Sequence, residues 1–284
     1  MPWPCFFCLL KIAVVSLLGG VIGAISGLGG GIVIVPMLTL FMHLPIEQAI
    51  GASVVSVIAV SSGAGSVYVR DHITNVRIAM FLNFFTVAGA ILGAAVLARF
   101  LNGDVLKILF GATLLISLIP LIAKIGEELP REAQGDRLAR WLKMSGSYFD
   151  RRMRREVCYR GRQVPAASGV MSVAGVLAGV LGIGAGVLNV LSMERAMHLP
   201  VKVATATSNF LIGVTAAAAA GVYLHRGLVL PFVVVPVAAS VLLGALLGTK
   251  MMERMSNVLV RKIFAVVLAI TGVQMLVGGL HVHM

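Results

Sequence analysis

Two glycine clusters are the residues of this sequence best placed to do chemistry. Gly27-Leu-Gly-Gly-Gly31 interrupts a charge-free stretch from Ile12 to Met42, and Gly182-Ile-Gly-Ala-Gly186 interrupts another from Gln163 to Met193. Glycine permits a tight reversal and leaves backbone amides uncovered, and a helix that restarts after the break presents free N–H groups and a positive dipole end. Two such helix starts converging on one pocket form a site for a small anion. The candidate binding residues are therefore Gly29, Gly30 and Gly31 in the first cluster and Gly184 and Gly186 in the second. Nearby hydroxyls and amides extend the set: Ser53 and Ser56 after the first break, Asn189 just past the second, and Thr207, Ser208 and Asn209 in the next stretch. The competing structural reading for each hydroxyl is a bond to its own helix carbonyl. Asn209 is costly to bury without a partner, which favours a role for it. His43 and His198, each beside Leu-Pro, read as structural residues at segment boundaries.

The acidic residues are informative by position. All eleven lie at the ends of apolar stretches or between them, so no carboxylate is expected in the membrane to relay a proton or to neutralise a cation. No HExxH, GxSxG or GxxxxGK[ST] pattern occurs, which argues against a protease, an esterase and an ATP-driven pump. The chain is not expected to be an enzyme, and no cofactor is implied. Cys5, Cys8 and Cys158 are too few and too scattered for a disulfide framework or a zinc site, so no metal is expected either.

The elements that must carry these residues follow from composition. Of 284 residues 59% are hydrophobic and 12% charged, with a mean hydropathy of +1.00. Soluble domains carry roughly 25% charged residues, so a soluble enzyme is excluded. A bilayer core of ~30 Å takes ~20 helical residues. The charge-free stretches are Ile12 to Met42, Gln48 to Val69, Ile78 to Ala98, Ile108 to Ala123, Gln163 to Met193, Val203 to Leu224, Gly227 to Thr249 and Ile263 onward, two sets of four. They divide the chain into a first membrane repeat (1–123), a basic loop (124–162) and a second membrane repeat (163–284). The net charge of +12 reads as positive-inside bias, with no nucleic-acid partner. Arg151-Arg-Met-Arg-Arg155 could touch anionic lipid.

The halves are related by descent. An offset of 155 residues aligns both glycine clusters and places Met42-His-Leu-Pro45 on Met197-His-Leu-Pro200. Gly20 to Ile108 against Gly175 to Ile263 gives 24 identities in 89 positions without a gap, including Ser53 with Ser208 and Tyr68 with Tyr223. Gly89-xxx-Gly93 and Gly244-xxx-Gly248 read as close-packing positions. If the two glycine-broken segments are re-entrant, 19 Lys and Arg fall on one side and 4 on the other. The expected fold is thus an all-α polytopic membrane protein with two inverted four-segment repeats, each a re-entrant first segment plus three transmembrane helices. The basic loop is expected to be cytoplasmic, and a homo-oligomer is compatible with this arrangement.

The first repeat resembles the sulfite exporter (TauE/SafE-like) family, also called toluene sulfonate uptake permeases, through Gly27-Leu-Gly-Gly-Gly-Ile-Val-Ile-Val-Pro-Met-Leu38, Leu44-Pro45 and Ala49-Ile-Gly-Ala-Ser53. The second copy, Gly182 to Ser208, departs from the pattern where Ala185 replaces a glycine and Leu191 a proline. The resemblance implies a bacterial cytoplasmic-membrane transporter of small sulfur-containing or organic anions such as sulfite or a sulfonate, with direction open. A passive anion channel and a membrane scaffold without transport activity remain as alternatives.

Overall fold

A computed structural model describes residues 3–42, 44–96, 100–122, 137–150, 154–182, 184 and 186–280. His43, Arg151 to Met153 of the basic run and the expected boundary at 123/124 lie outside them. The first half consists of α1 (Trp3–Ser26), α2 (Gly31–Pro36), α3 (Ile46–Val60), α4 (Ser66–Arg70), α5 (Val76–Ala95) and α6 (Gly103–Ile122). A π-helical turn, Met37–Phe41, follows α2, and another, Ser61–Gly65, joins α3 to α4 so that Ile46–Arg70 is one continuous apolar helix. A short helix α7 (Arg137–Trp141) and strands β1 (Ser145–Asp150) and β2 (Arg155–Arg160) come next. The second half contains α8 (Val164–Leu181), α9 (Gly186–Arg195), α10 (Val201–His225), α11 (Pro231–Arg254) and α12 (Asn257–Leu280). Among the described residues six helices are long and apolar enough to cross a membrane: Ile46–Arg70, Val76–Ala95, Val164–Leu181, Val201–His225, Pro231–Arg254 and Val258–Gly279. The protein is a polytopic membrane protein built of α-helices.

Glycines decide how these helices pack. Between apolar helices in lipid, close backbone approach is a principal source of attraction, and only small residues allow it. A Cβ on Gly244 would collide with the carbonyl of Leu17, and one on Gly20 with the carbonyl of Val241, so α1 lies backbone-to-backbone on α11. The pairing of α8 with α5 is the same one shifted by 155: Gly89 meets the carbonyl of Ser172, and Gly175 that of Thr86. Each broken segment therefore packs on a helix of the opposite half. In both pairs contact positions advance together (Leu17 with Gly244, Val21 with Gly248; Ser172 with Gly89, Val176 with Gly93), so the paired helices run parallel.

The inserted segment between the halves is a difference from the sequence expectation. Its composition reads as a water-exposed loop, yet 145–160 forms an antiparallel hairpin, closed at its base by Gly161 N–H donating to the Met144 carbonyl at 2.8 Å. Tyr148, Asp150, Val157 and Tyr159 alternate along the two strands, and all four are buried. The hairpin sits where α10 begins, beside the α4–α5 turn and the end of α11. Since β2 leads within four residues into α8, α8 and α10 both start at this end of the molecule. The α8–break–α9 segment thus enters and returns at the hairpin end. α11 finishes at that end, and α1 runs parallel to α11, so α1 starts from the opposite one.

Candidate functional site

The two breaks are built of left-handed backbone that favours glycine. Gly27, Gly29 and Gly30 have φ of 77°, 74° and 75°, and Gly182 and Gly184 have 66° and 72°. Two serines lock the breaks to each other. Ser53 Oγ donates to the carbonyl of Gly182 at 2.9 Å, and its repeat mate Ser208 donates to the carbonyl of Gly27 at 2.8 Å. Both serines are fully buried. Each half thereby satisfies an orphaned carbonyl in the other half's break, which water would otherwise have to solvate. Ser208 Oγ also lies 3.3 Å from the carbonyl of Gly186, where α9 starts.

At the centre the surroundings are apolar. A Cβ on Gly29 would come within 2.6 Å of Ile212 and 2.9 Å of Val57, and one on Gly184 within 2.8 Å of Val57 and 3.2 Å of Ile212. Val57 and Ile212 are repeat mates, and both are buried to 0% exposure. They fill the space where the breaks meet. Gly31 faces Ser53 and Gly182, and Gly186 faces Gly27 and Leu28. Five candidate glycines and two serines thus belong to one region, although Gly30 turns toward α1, where an added Cβ would stand 3.0 Å from the Gly19 carbonyl.

The remaining candidates divide. Ser56 donates to the Ser53 carbonyl of its own helix at 2.6 Å, the bond expected of a helical serine. Thr207 accepts from the backbone N–H of Asn75 at 3.1 Å and so fixes the α4–α5 turn outside the break region. Asn209 donates to the carbonyls of Ala24 (2.9 Å) and Thr205 (3.1 Å), leaving its Oδ1 without a partner. Asn189 stands one turn past Gly186 with no exposure, and neither its Nδ2 nor its Oδ1 has a hydrogen-bond partner. Thr205 Oγ1 is unpartnered as well. A buried amide left unpaired costs about 1–3 kcal/mol, and such a group in a folded protein calls for a ligand or water to explain it. Asn189 lies in the first turn of α9, whose N–H groups have no partner within the helix itself.

Two features of the structure escaped the sequence reading. Val57 and Ile212 carried a signal, since they hold one position of the duplicated segment, but apolar residues in an apolar helix did not stand out. The second is a buried ion pair: Lys202 Nζ lies 3.1 and 3.2 Å from the carboxylate oxygens of Asp150, with side-chain exposures of 4% and 1%. Tyr148 donates to the same carboxylate at 3.3 Å, and burial together with that negative charge pushes its phenol well above the ordinary tyrosine range. Tyr159, also pushed up by burial, accepts from Asn75 Nδ2 at 3.1 Å. A cavity of about 180 Å³ beside the pair is lined by Asp71, Asp150, Lys202 and Glu253 among others. At the opposite end a cavity of about 360 Å³ is lined by Thr39, Glu47 and Lys107, and Lys107 pairs with Asp104 at 3.1 Å.

The model of the sulfite exporter TauE/SafE family matches residues 12–275, which takes in both breaks, both serines and Asn189. The chain belongs to the sulfite exporter TauE/SafE family. Two curated relatives are similar along their whole length. The "Probable membrane transporter protein YunE" of Bacillus subtilis (strain 168) is 24% identical over 276 residues, 95% of this chain and 97% of that protein. The "Probable membrane transporter protein YdhB" of the same organism is 26% identical over 271 residues, 94% of this chain and 100% of that protein. No solved structure matches the chain. Membership of the TauE/SafE family and these relatives make the chain a multi-pass membrane protein of a transporter family.

Proposed function

We propose that this protein is a secondary transporter or facilitator that moves a small sulfur-containing or organic anion, sulfite or a sulfonate, across the bacterial cytoplasmic membrane. The substrate is taken between the two glycine breaks, near mid-membrane, and the repeats expose it alternately to the two sides. The hairpin end faces the cytoplasm in this reading, with the basic segment against anionic lipid. The observation that carries it is Asn189: a fully buried amide without a partner, on the first turn of α9, beside a break that Ser208 ties to its counterpart. The Asn189 Nδ2 and the first-turn N–H groups of α9 are donors, and an oxyanion is all acceptors. The filled contact of Val57 and Ile212 between the breaks favours a carrier that must rearrange over an open channel.

The test is flux in liposomes holding the purified protein, offered sulfite, thiosulfate, taurine and sulfoacetate. Asn189→Leu keeps the shape and removes the amide. A hydrogen bond to a charged group contributes about 1.5–3 kcal/mol, so flux should fall at least about tenfold while the melting temperature holds or rises. Native flux of none of these anions, or full flux in Asn189→Leu, would end this reading.

A further inference from the structure

The hairpin lies between the halves and has no counterpart in the duplication, and it is seated over the start of the helix that carries Thr205, Ser208 and Asn209. Its inward face makes the seat. Asp150 reaches Lys202 in the first turn of α10, and Tyr159 takes the Asn75 amide. Asn75 in turn donates its backbone N–H to Thr207 of α10 and caps α5 by accepting from the N–H of Ile78 at 3.2 Å. Strand, turn and site helix are thus linked through two polar contacts. Lys202 to Ser208 is six residues, ~9 Å along the helix.

From this geometry we infer that the hairpin is a plug over the inner end of the anion path, latched by Asp150 on Lys202, and that it must lift for the anion to pass. The inference rests on the transport reading above. Lys202 places a positive charge where the dipole of α10 is already positive, an arrangement that costs stability unless an anion sits beside it. With the hairpin seated the pair is buried, and lifting it opens Lys202 to water, so the pair acts as a latch that can be released. The cavity of about 180 Å³ beside the pair is lined also by Asp71 and Glu253, so with the plug seated this end sets three carboxylates against Lys202 and repels an anion. Its position at the end where α8–α9 enters makes the plug specific to one side. The opposite end has Glu47, the repeat mate of Lys202, in a larger cavity.

The test is to pin the plug. In a background with Cys5, Cys8 and Cys158 changed to serine, Asn75→Cys and Tyr159→Cys place thiols on turn and hairpin, to be bridged by a reductant-cleavable bis-methanethiosulfonate reagent. Cross-linked protein should carry the anion at least about tenfold more slowly than the same protein after reduction, as expected of a step gated by a lid. Equal flux in the two states overturns the plug. Hydrogen exchange on the unmodified protein is the second measurement: residues 145–150 and 154–160 should exchange faster in the presence of the anion that native protein transports. Unchanged or slower exchange overturns the inference as well. Native protein that moves none of the anions overturns both readings, whereas native flux unaffected by the cross-link overturns the plug alone.

Discussion

The two halves share a scaffold but not a chemistry. Structural contacts obey the 155-residue offset closely: Ser53 to Gly182 matches Ser208 to Gly27, and Tyr68 donating to Ala24 matches Tyr223 donating to Gly179. The polar groups near the breaks do not. Asn189, Thr205, Thr207 and Asn209 of the second half stand where the first has Ile34, Ile50, Ala52 and Val54. Duplication preserves contacts that hold the fold, because each is needed twice. It does not preserve side chains that serve one site, because one site needs them once. The substrate's polar contacts are therefore expected mainly from the second half.

The largest effect tests the shared scaffold. Gly244→Leu and Gly89→Leu each force a side chain into the backbone of a parallel neighbour; overpacking costs typically about 1–3 kcal/mol, and the upper end or beyond is expected where the obstacle is backbone. Both variants should fail to give a folded protein by thermal melting in detergent. A folded, active form of one alone would break the equivalence of the halves.

Function should then separate what the scaffold shares. Besides the flux loss expected of Asn189→Leu, the reciprocal change Ile34→Asn places a second amide at the mate position. It should lower stability by about 1–3 kcal/mol as a buried group without a partner, and leave flux no higher than native. Higher flux in Ile34→Asn would mean that the first half also binds the anion. Smaller still are the crossed serines. Ser53→Ala and Ser208→Ala should each cost about 1 kcal/mol by melting, nearly equally, since both bonds are of similar length. The smallest effects fall on the tyrosines. Tyr223→Phe loses contacts at 2.8 and 3.0 Å and Tyr68→Phe one at 3.1 Å, so Tyr223→Phe should be the costlier by a few tenths of a kcal/mol.

Much of this was legible in the residues. The glycine breaks, the repeat and the packing role of Gly89, Gly93, Gly244 and Gly248 come from spacing alone, since helix periodicity and small-residue motifs are local. The site was legible in part. Ser53 and Ser208 were visible as repeat mates, but as ligands for an anion, whereas in this conformation both hydroxyls are engaged with break carbonyls. Gly29 and Gly184 also change meaning: at positive φ and against Val57 and Ile212, a bulky residue there would disturb the fold and could not report on binding alone. The hairpin was hidden by composition. Each strand is six residues long, with Arg, Glu, Ser and Cys on one face, and that averages to a solvated loop unless the alternation of Tyr148 with Asp150 and Val157 with Tyr159 is read by itself.

The sequence by itself determined that lipid surrounds the chain, where its helices break, and that one half copies the other, because hydropathy, backbone freedom and repetition are properties of neighbouring residues. Tertiary structure decided which carbonyl each serine satisfies, what fills the space between the breaks, and that Asp150 is buried against Lys202. Those partners lie 52 to 181 residues apart. Only the close approach of helices from opposite halves brings them within bonding distance, and that approach depends on the packing of the whole chain.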